Sequence, residues 1–140
     1  MAEQPSIDQF NLVVGDMDAS VAFYRLVGFD LPDGGEPWDS HHRSVRLEGG
    51  IDLDLDSTRF ASQWDPGWRG GMGVLGVKVA TREAVDQLHE TLTAAGHKSQ
   101  LAPVDAFWGA RYAIVEDPDG NAVGIMSPTD PALRSEAPTP

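Results

Sequence analysis

Short stretches in which apolar and polar residues alternate predict most of the β-strands of this chain. In residues 7–14, Phe10, Leu12 and Val14 fall on one face of a strand, and the residues between them fall on the other. Other stretches have the same two-residue period or are short and β-branched. The predicted strands are residues 7–14, a short strand beginning at Phe29, and residues 42–47, 51–55, 73–79, 98–102, 112–115 and 121–126.

Two stretches have the three- to four-residue spacing of amphipathic helices. The first follows Gly15-Asp16 with Met17, Val21 and Tyr24 on one side, and it ends at Gly28. The second follows Thr81, a good N-cap residue, and ends at Gly96. Its apolar face consists of Val85, Leu88, Leu92 and Ala95.

The remaining stretches predict turns, loops and a tail. The segment Asp117-Pro118-Asp119-Gly120 predicts a tight turn between the last two strands. Residues 32–37 read as a loop, and periodicity is lost over residues 57–73, which contain Trp64 and Trp68. After Pro128 the chain is polar and rich in proline, which predicts a disordered tail over residues 129–140.

The order of these elements predicts an α+β fold with an internal repeat of architecture. Each half of the chain reads as strand, helix, glycine, short strand, loop and two-stranded hairpin, that is, as a βαβββ module. The modules span about residues 6–56 and 73–127 of a single domain, residues 1–128. Two modules side by side would form a curved mixed sheet around a cleft.

Composition excludes several classes of function. The net charge of −12 argues against nucleic acid and anionic membranes as partners. The absence of cysteine excludes a disulfide framework, a thiol nucleophile and a cysteine-ligated zinc site. No signal peptide and no apolar stretch long enough to span a membrane is visible, so we expect a cytoplasmic protein.

Two motifs together resemble those of a known superfamily. Gly15-Asp16-Met17, followed by Ser20-Val21-Ala22-Phe23-Tyr24 and Gly28-Phe29, and the later Asp117-Pro118-Asp119-Gly120-Asn121 are similar to the vicinal oxygen chelate superfamily. That superfamily includes glyoxalase I, extradiol dioxygenases and bleomycin-resistance binding proteins. The segments around Trp68 and Trp108 most resemble its small, drug-sequestering, mitomycin-resistance-type members. The resemblance implies the fold, and often a homodimer, but it does not define one function.

The resemblance also maps four positions at which metal-dependent relatives supply ligands. They fall on Gln9, Asp52 (Asp54 if the register shifts), Val74 and Gly124. Valine and glycine have no side-chain donor, and a catalytic divalent ion needs three or four fixed ligands. We therefore expect no metal and no other cofactor. The neighbouring His41 and His42 point to opposite faces of a strand, which indicates a polar strand entrance rather than a chelate.

Aromatic and acidic residues are the candidate ligand contacts. Asp52, Asp54 and Asp56 alternate with apolar residues, so these carboxylates share one face, which turns either to the cleft or to solvent. Rings outside the strand cores offer stacking surfaces for flat ligands. We predict no catalytic residues, and the predicted ligand-binding residues are Trp108, Arg111, Asp52, Asp54, Trp38, Phe107, Tyr112, Met126 and Gln9.

Two functional hypotheses follow, together with a variant of the second. The first is a metal-independent protein, related to antibiotic-resistance proteins, that sequesters a planar or cationic drug-like molecule between aromatic side chains. The second is a glyoxalase- or dioxygenase-like lyase, isomerase or oxidoreductase with an incomplete metal site. A metal-free lyase or isomerase with Asp52 or Glu116 as its base is also open. The expected partners are a small molecule and a second copy of the chain.

Overall fold

The computed structural model describes residues 9–64, Gly70 and residues 74–136. The chain divides into two compact units, Met1–Gly70 and Gly71–Pro140, which are described separately below. The fold is α+β, as the sequence predicts, with one sheet of three strands and one of four. None of the described helices is both long and apolar enough to cross a membrane.

The first unit consists of a three-stranded sheet and two helices. Strand β1 runs parallel to β3, and β3 runs antiparallel to β2, which gives the order β1-β3-β2. A short 3-10 turn, Trp38–Ser40, precedes β2. The elements are β1 (Gln9–Val14), α1 (Met17–Val27), β2 (His42–Arg46), β3 (Asp52–Ser57) and α2 (Thr58–Trp64).

Helix α1 begins and ends where the sequence predicts. The side chain of Asp16 accepts a hydrogen bond of 3.0 Å from the Ala19 amide, and Gly28 ends the helix with φ of +121°. Phe23 and Tyr24 on this helix are fully buried and meet edge to face at 4.9 Å. They belong to a core that also contains Leu12, Val14, Leu53 and Leu55.

The strand predicted to begin at Phe29 is absent, and this prediction was wrong. The Leu31 amide donates to the Phe29 carbonyl, which closes a three-residue turn instead of continuing a strand. Further along, the Arg43 guanidinium donates to the Pro32 carbonyl and to Asp33, each at 2.7 Å. Side-chain contacts from β2 therefore hold this segment, and no additional strand pairs with β2 in the described part of the unit.

Helix α2 lies where the sequence analysis predicted only an irregular connection. The hydroxyl of Ser57 accepts a hydrogen bond of 3.1 Å from the Phe60 amide and caps the first turn. Ala61 is fully buried. Trp64 ends this helix rather than lying in a loop, while Trp68 lies outside the described residues.

The second unit has the complete βαβββ connectivity predicted for it. Its strands pair in the order β4-β7-β6-β5, in which β4 is parallel to β7 and the other pairs are antiparallel. Helix α3 packs on β5, β6 and β7. The elements are β4 (Val74–Lys78), α3 (Arg82–Ala94), β5 (Ser99–Asp105), β6 (Arg111–Glu116) and β7 (Ala122–Met126).

Local signals fix the ends of these elements. The Thr81 hydroxyl accepts a hydrogen bond of 3.0 Å from the Ala84 amide and caps α3, as predicted. Strand β5 is longer than predicted because it continues through Pro103. It is an edge strand with register shifts, so the missing proline N–H removes no essential hydrogen bond.

The turn between β6 and β7 has the predicted chemistry. Asp117 is only 4% exposed, and its carboxylate accepts hydrogen bonds from the Asp119 amide at 2.9 Å and the Asn121 amide at 2.8 Å. The side chain of Asn121 donates to the same carboxylate at 2.9 Å. Gly120 has φ of +82°, the conformation for which glycine was expected there.

Part of the predicted tail is in contact with the second unit. Residues 131–133 form a 3-10 turn, capped by the Asp130 side chain through the Ala132 amide at 2.9 Å. The amides of Asp130 and Ser135 donate to the carbonyls of Gly109 and Phe107, each at 2.9 Å. Residues 130–135 therefore brace the turn before β6, in contrast to the disorder expected from residue 129.

Candidate functional site

One face of the four-stranded sheet is packed against α3, and the opposite face carries the candidate site. The residues buried on the α3 side are Leu75, Ala113, Val115, Val123 and Ile125. Residues that pair directly across neighbouring strands share a face. On the face away from α3, one row therefore consists of Lys78, Met126 and Tyr112, and the next row of Gly76, Gly124 and Ile114.

A pocket of about 360 Å³ lies on this face. The ring of Trp108 meets that of Tyr112 with centroids 5.3 Å apart and planes at 69°. The indole Nε1 of Trp108 donates to the Sδ atom of Met126 at 3.3 Å. The residues that line the pocket are Gly76, Val77, Lys78, Trp108, Tyr112, Gly124 and Met126. Three of the predicted ligand residues, Trp108, Tyr112 and Met126, thus share one pocket.

Two glycines form the floor of this pocket. Gly76 and Gly124 are paired neighbours on β4 and β7, so two adjacent strands lack side chains at the same level of the sheet. A Cβ atom added at Gly76 would meet no other atom within 4 Å. Because neighbouring strands are about 4.8 Å apart, the two glycines clear a space about as wide as an aromatic ring.

A braced turn between β5 and β6 carries the aromatic wall. The Ala106 amide donates to the Ala110 carbonyl at 2.8 Å, and the Gly109 amide donates to the Ala106 carbonyl at 3.0 Å. Within this turn the Phe107 ring meets the Trp108 ring edge to face at 5.1 Å. Phe107 is 39% exposed and supports Trp108 from outside the pocket lining. Ligand contact by Phe107 stays a prediction.

Arg111 lies apart from this pocket, in an ion-pair cluster with the α3 helix. Its Nε atom is 2.9 Å from Asp86 Oδ1, and its Nη1 atom is 3.1 Å from Asp105 Oδ1. Asp105 also pairs with Arg82. The hydrogen bond to Asp86 is the main cause that raises the pKa of Arg111. Successive strand residues point to opposite faces, so Arg111 and Tyr112 diverge, and the structure does not place Arg111 among the pocket residues.

The carboxylates of β3 are engaged by the neighbouring strand of the first unit. Asp52 pairs with Arg46 at 2.5 Å, and the Ser44 hydroxyl donates to Asp54 at 2.5 Å. Asp54 is 9% exposed, so it is not on a solvated face. Gln9 is the strand partner of Asp52 and is exposed. These three predicted residues thus share one sheet face, but Asp52 and Asp54 already have polar partners within the unit.

The third carboxylate of this row, Asp56, belongs to a buried polar cluster. It is 2% exposed, lies 2.5 Å from Nδ1 of His42 and accepts a hydrogen bond of 2.8 Å from the Asn11 side chain. His41 instead lies 3.0 Å from the Ser57 hydroxyl. The two histidines therefore have separate polar partners, although only His42 lies on the strand and His41 ends the preceding 3-10 turn.

Trp38 lines a different pocket, of about 280 Å³, in the first unit. It is 60% exposed, and its ring meets that of Phe60 at 5.9 Å. The remaining lining residues are Pro37, His41, Arg59 and Gln63. Sequence reasoning missed Arg59, Phe60 and Gln63 because it missed α2, although Ser57 in an N-cap position was an available signal.

The donor set does not fit a divalent metal. The described residues contain no group of three or more His, Cys, Asp or Glu side chains suited to hold one ion. Of the four positions mapped from metal-dependent relatives, Val74 and Gly124 have no side-chain donor, and Asp52 is paired with Arg46. Gly124 instead forms part of the pocket floor.

Comparison with known proteins agrees with this architecture. The model of the glyoxalase/bleomycin resistance protein/dioxygenase superfamily matches residues 6–125. The chain therefore belongs to this superfamily, as the sequence motifs indicated. None of the curated proteins matches it.

Several solved structures share the fold. A glyoxalase-related enzyme from Fulvimarina pelagi has a TM-score of 0.76 at 22% identity and covers 89% of each chain. A glyoxalase/bleomycin resistance protein/dioxygenase family enzyme from Burkholderia phytofirmans PsJN has a TM-score of 0.70 at 25% identity, covering 86% of this chain and 96% of its own. The lactoylglutathione lyase from Agrobacterium tumefaciens has a TM-score of 0.68 at 20% identity, covering 90% and 96%. At these identities the likeness supports the fold.

Proposed function

We propose that this chain is a metal-independent binding protein that holds a planar small molecule against Trp108. The observation that carries the proposal is the pocket in which Trp108, Tyr112 and Met126 surround a floor made by Gly76 and Gly124. Aromatic rings offer a large contact area with few rotors to order, and the glycine floor admits a flat ring system. Apart from Lys78 and the two glycines, the residues that line the pocket have apolar or amphipathic side chains.

The enzyme alternatives have less support from the arrangement of residues. A metalloenzyme of the glyoxalase or dioxygenase type lacks donors at two of its four mapped positions. For a metal-free lyase or isomerase, the bases considered were Asp52 and Glu116. Asp52 is paired with Arg46, and Glu116 Oε2 lies 3.5 Å from Lys98 Nζ. Glu116 does not line the Trp108 pocket of its own unit.

We expect Gly76→Ala to weaken binding of a planar probe without harming the fold. The added Cβ projects into empty space and takes up part of the pocket floor. A misfit of one carbon in an apolar pocket is worth about 1 kcal/mol or somewhat more, roughly a fivefold loss of affinity. The measurement is isothermal titration calorimetry with 2-naphthamide, a neutral planar molecule, on wild type and variant.

Ala102→Val is the matched control, because it also adds apolar carbons to a strand of this sheet at an exposed position outside the pocket. Its affinity for 2-naphthamide should equal that of wild type, and both variants should keep the wild-type melting temperature within a few degrees. Unchanged affinity in Gly76→Ala would place the ligand elsewhere. Mass spectrometry of small molecules that co-purify with the protein would then identify the natural ligand.

Pairing of two chains is part of the same proposal. Most soluble oligomers are homo-oligomers, and C2 dimers are the commonest of them. We expect light scattering at micromolar concentration to give about twice the chain mass of 15.1 kDa. A species of 15.1 kDa under those conditions would show that the chain acts as a monomer.

A further inference from the structure

Among the residues that the structure describes, the lining of the Trp108 pocket includes a cationic side chain and no anionic one. Among its lining residues Lys78 is the single charged side chain, and none is a carboxylate. This balance is the reverse of the chain as a whole, which has 22 acidic and 10 basic residues. The local charge therefore differs in sign from the average surface charge that a diffusing ligand meets.

Lys78 is also available to a ligand. Most of the described lysines and arginines are committed to ion pairs, whereas Lys78 forms none with any residue that the structure describes. The committed residues are Arg25, Arg43, Arg46, Arg82, Lys98 and Arg111. An exposed lysine without a carboxylate partner among the described residues can form an ion pair with a molecule that enters the pocket.

The register places Lys78 on the same face as the aromatic wall. Lys78 pairs across the strands with Met126, and Met126 pairs with Tyr112, so the three residues form one row on adjacent strands. The Tyr112 hydroxyl has no hydrogen-bond partner among the described residues. An ammonium group and a free phenol therefore stand at the two ends of this row, with the open floor at Gly76 and Gly124 beside them.

We propose that the ligand of this pocket is a planar aromatic anion, such as an aryl carboxylate. The ring lies over the glycine floor against Trp108, and the acidic group is bound by the Lys78 ammonium, with the Tyr112 hydroxyl available as a donor. Charge-assisted hydrogen bonds to a carboxylate are stronger than those between neutral groups. This inference rests on the proposed function, since it specifies the ligand of the same pocket.

The inference replaces the cationic ligand considered from the sequence. That expectation depended on Asp52 and Asp54 as free carboxylates. Both now have partners in the first unit, Arg46 and Ser44. A cation in this pocket would meet Lys78 as a like charge, which is repulsive at contact distances.

Three probes with one ring system test the charge preference. Isothermal titration calorimetry would compare 2-naphthoate, 2-naphthamide and 2-naphthylmethylammonium on the full chain at low salt. We expect 2-naphthoate to bind about tenfold more tightly than 2-naphthamide and the ammonium compound to bind most weakly. In Lys78→Gln the advantage of 2-naphthoate over 2-naphthamide should disappear, and Lys78→Glu should favour the ammonium compound.

Lys98→Gln is the matched control, because Lys98 is also an exposed lysine, lies near Glu116 and does not line this pocket. It should leave the order of the three probes unchanged. Equal binding of the three probes, or an anion preference that survives Lys78→Gln, would overturn the inference while leaving the planar-ligand proposal standing. Failure of all three probes to bind would overturn both.

Discussion

Trp108→Ala is expected to weaken binding of 2-naphthamide by about 1–3 kcal/mol, roughly 5- to 150-fold. The substitution removes the ring that meets Tyr112 at 5.3 Å and forms the aromatic wall of the pocket. Trp108→Phe keeps a ring at this position and should retain much of the affinity. The chain contains four tryptophans, so calorimetry is a cleaner measurement than fluorescence quenching.

Trp38→Ala is the matched control for this prediction. It removes a tryptophan that is 60% exposed and lines the pocket of the first unit instead. Its affinity for 2-naphthamide should match that of wild type. Trp108→Ala could instead unfold the protein and leave the affinity per folded molecule intact. Trp108 would then be a core residue, and the binding proposal would lose its main support.

Gly109→Ala should be the most destabilising of the substitutions considered, by about 2–4 kcal/mol. Gly109 has φ of +93°, and a Cβ there would lie 2.3 Å from the Asp130 carbonyl oxygen. Alanine would therefore strain the turn and also push away residues 130–135. Urea unfolding followed by circular dichroism measures the loss, and calorimetry on the folded variant should show weakened binding because Trp108 is the adjacent residue.

Gly96→Ala separates the two causes. Gly96 has nearly the same backbone conformation, with φ of +96°, but no atom lies within 4 Å of the added Cβ. This variant should lose about 1 kcal/mol, which is the cost of a left-handed conformation without a clash. Equal losses in the two variants would mean that the clash of the added Cβ with Asp130 costs no stability.

The parts of the fold that depend on local signals were predictable from the sequence. Helix α1 begins at the Asp16 cap and ends at Gly28, and the last hairpin turns on the Asp117 carboxylate, as expected. In each case the determining contact joins residues that are close in sequence. Two strand predictions were wrong. The segment at Phe29 forms a local turn that Arg43 holds from β2, and the strand at Pro103 is longer than predicted because it lies at a sheet edge.

The candidate site was only partly predictable for the same reason. Trp108, Tyr112 and Met126 were expected ligand residues, and cross-strand pairing brings the last two together. The sequence did not show that Arg111 pairs with Asp86 on α3, because the sequence near Trp108 does not fix which face of the sheet Arg111 is on. It also did not single out Gly76 or Lys78. Their positions next to Gly124 and Met126 follow only from the pairing of β4 with β7.

Arg43 has a consequence for self-association. In the first unit β2 is an edge strand, because the segment that could have paired with it is not a strand. The Arg43 side chain is 6% exposed and holds Pro32 and Asp33 next to this strand. An uncovered edge offers free amides and carbonyls to other chains, and proteins commonly cover such edges to prevent aggregation. The bonds of Arg43 to this segment thus help to protect the edge against intermolecular strand pairing.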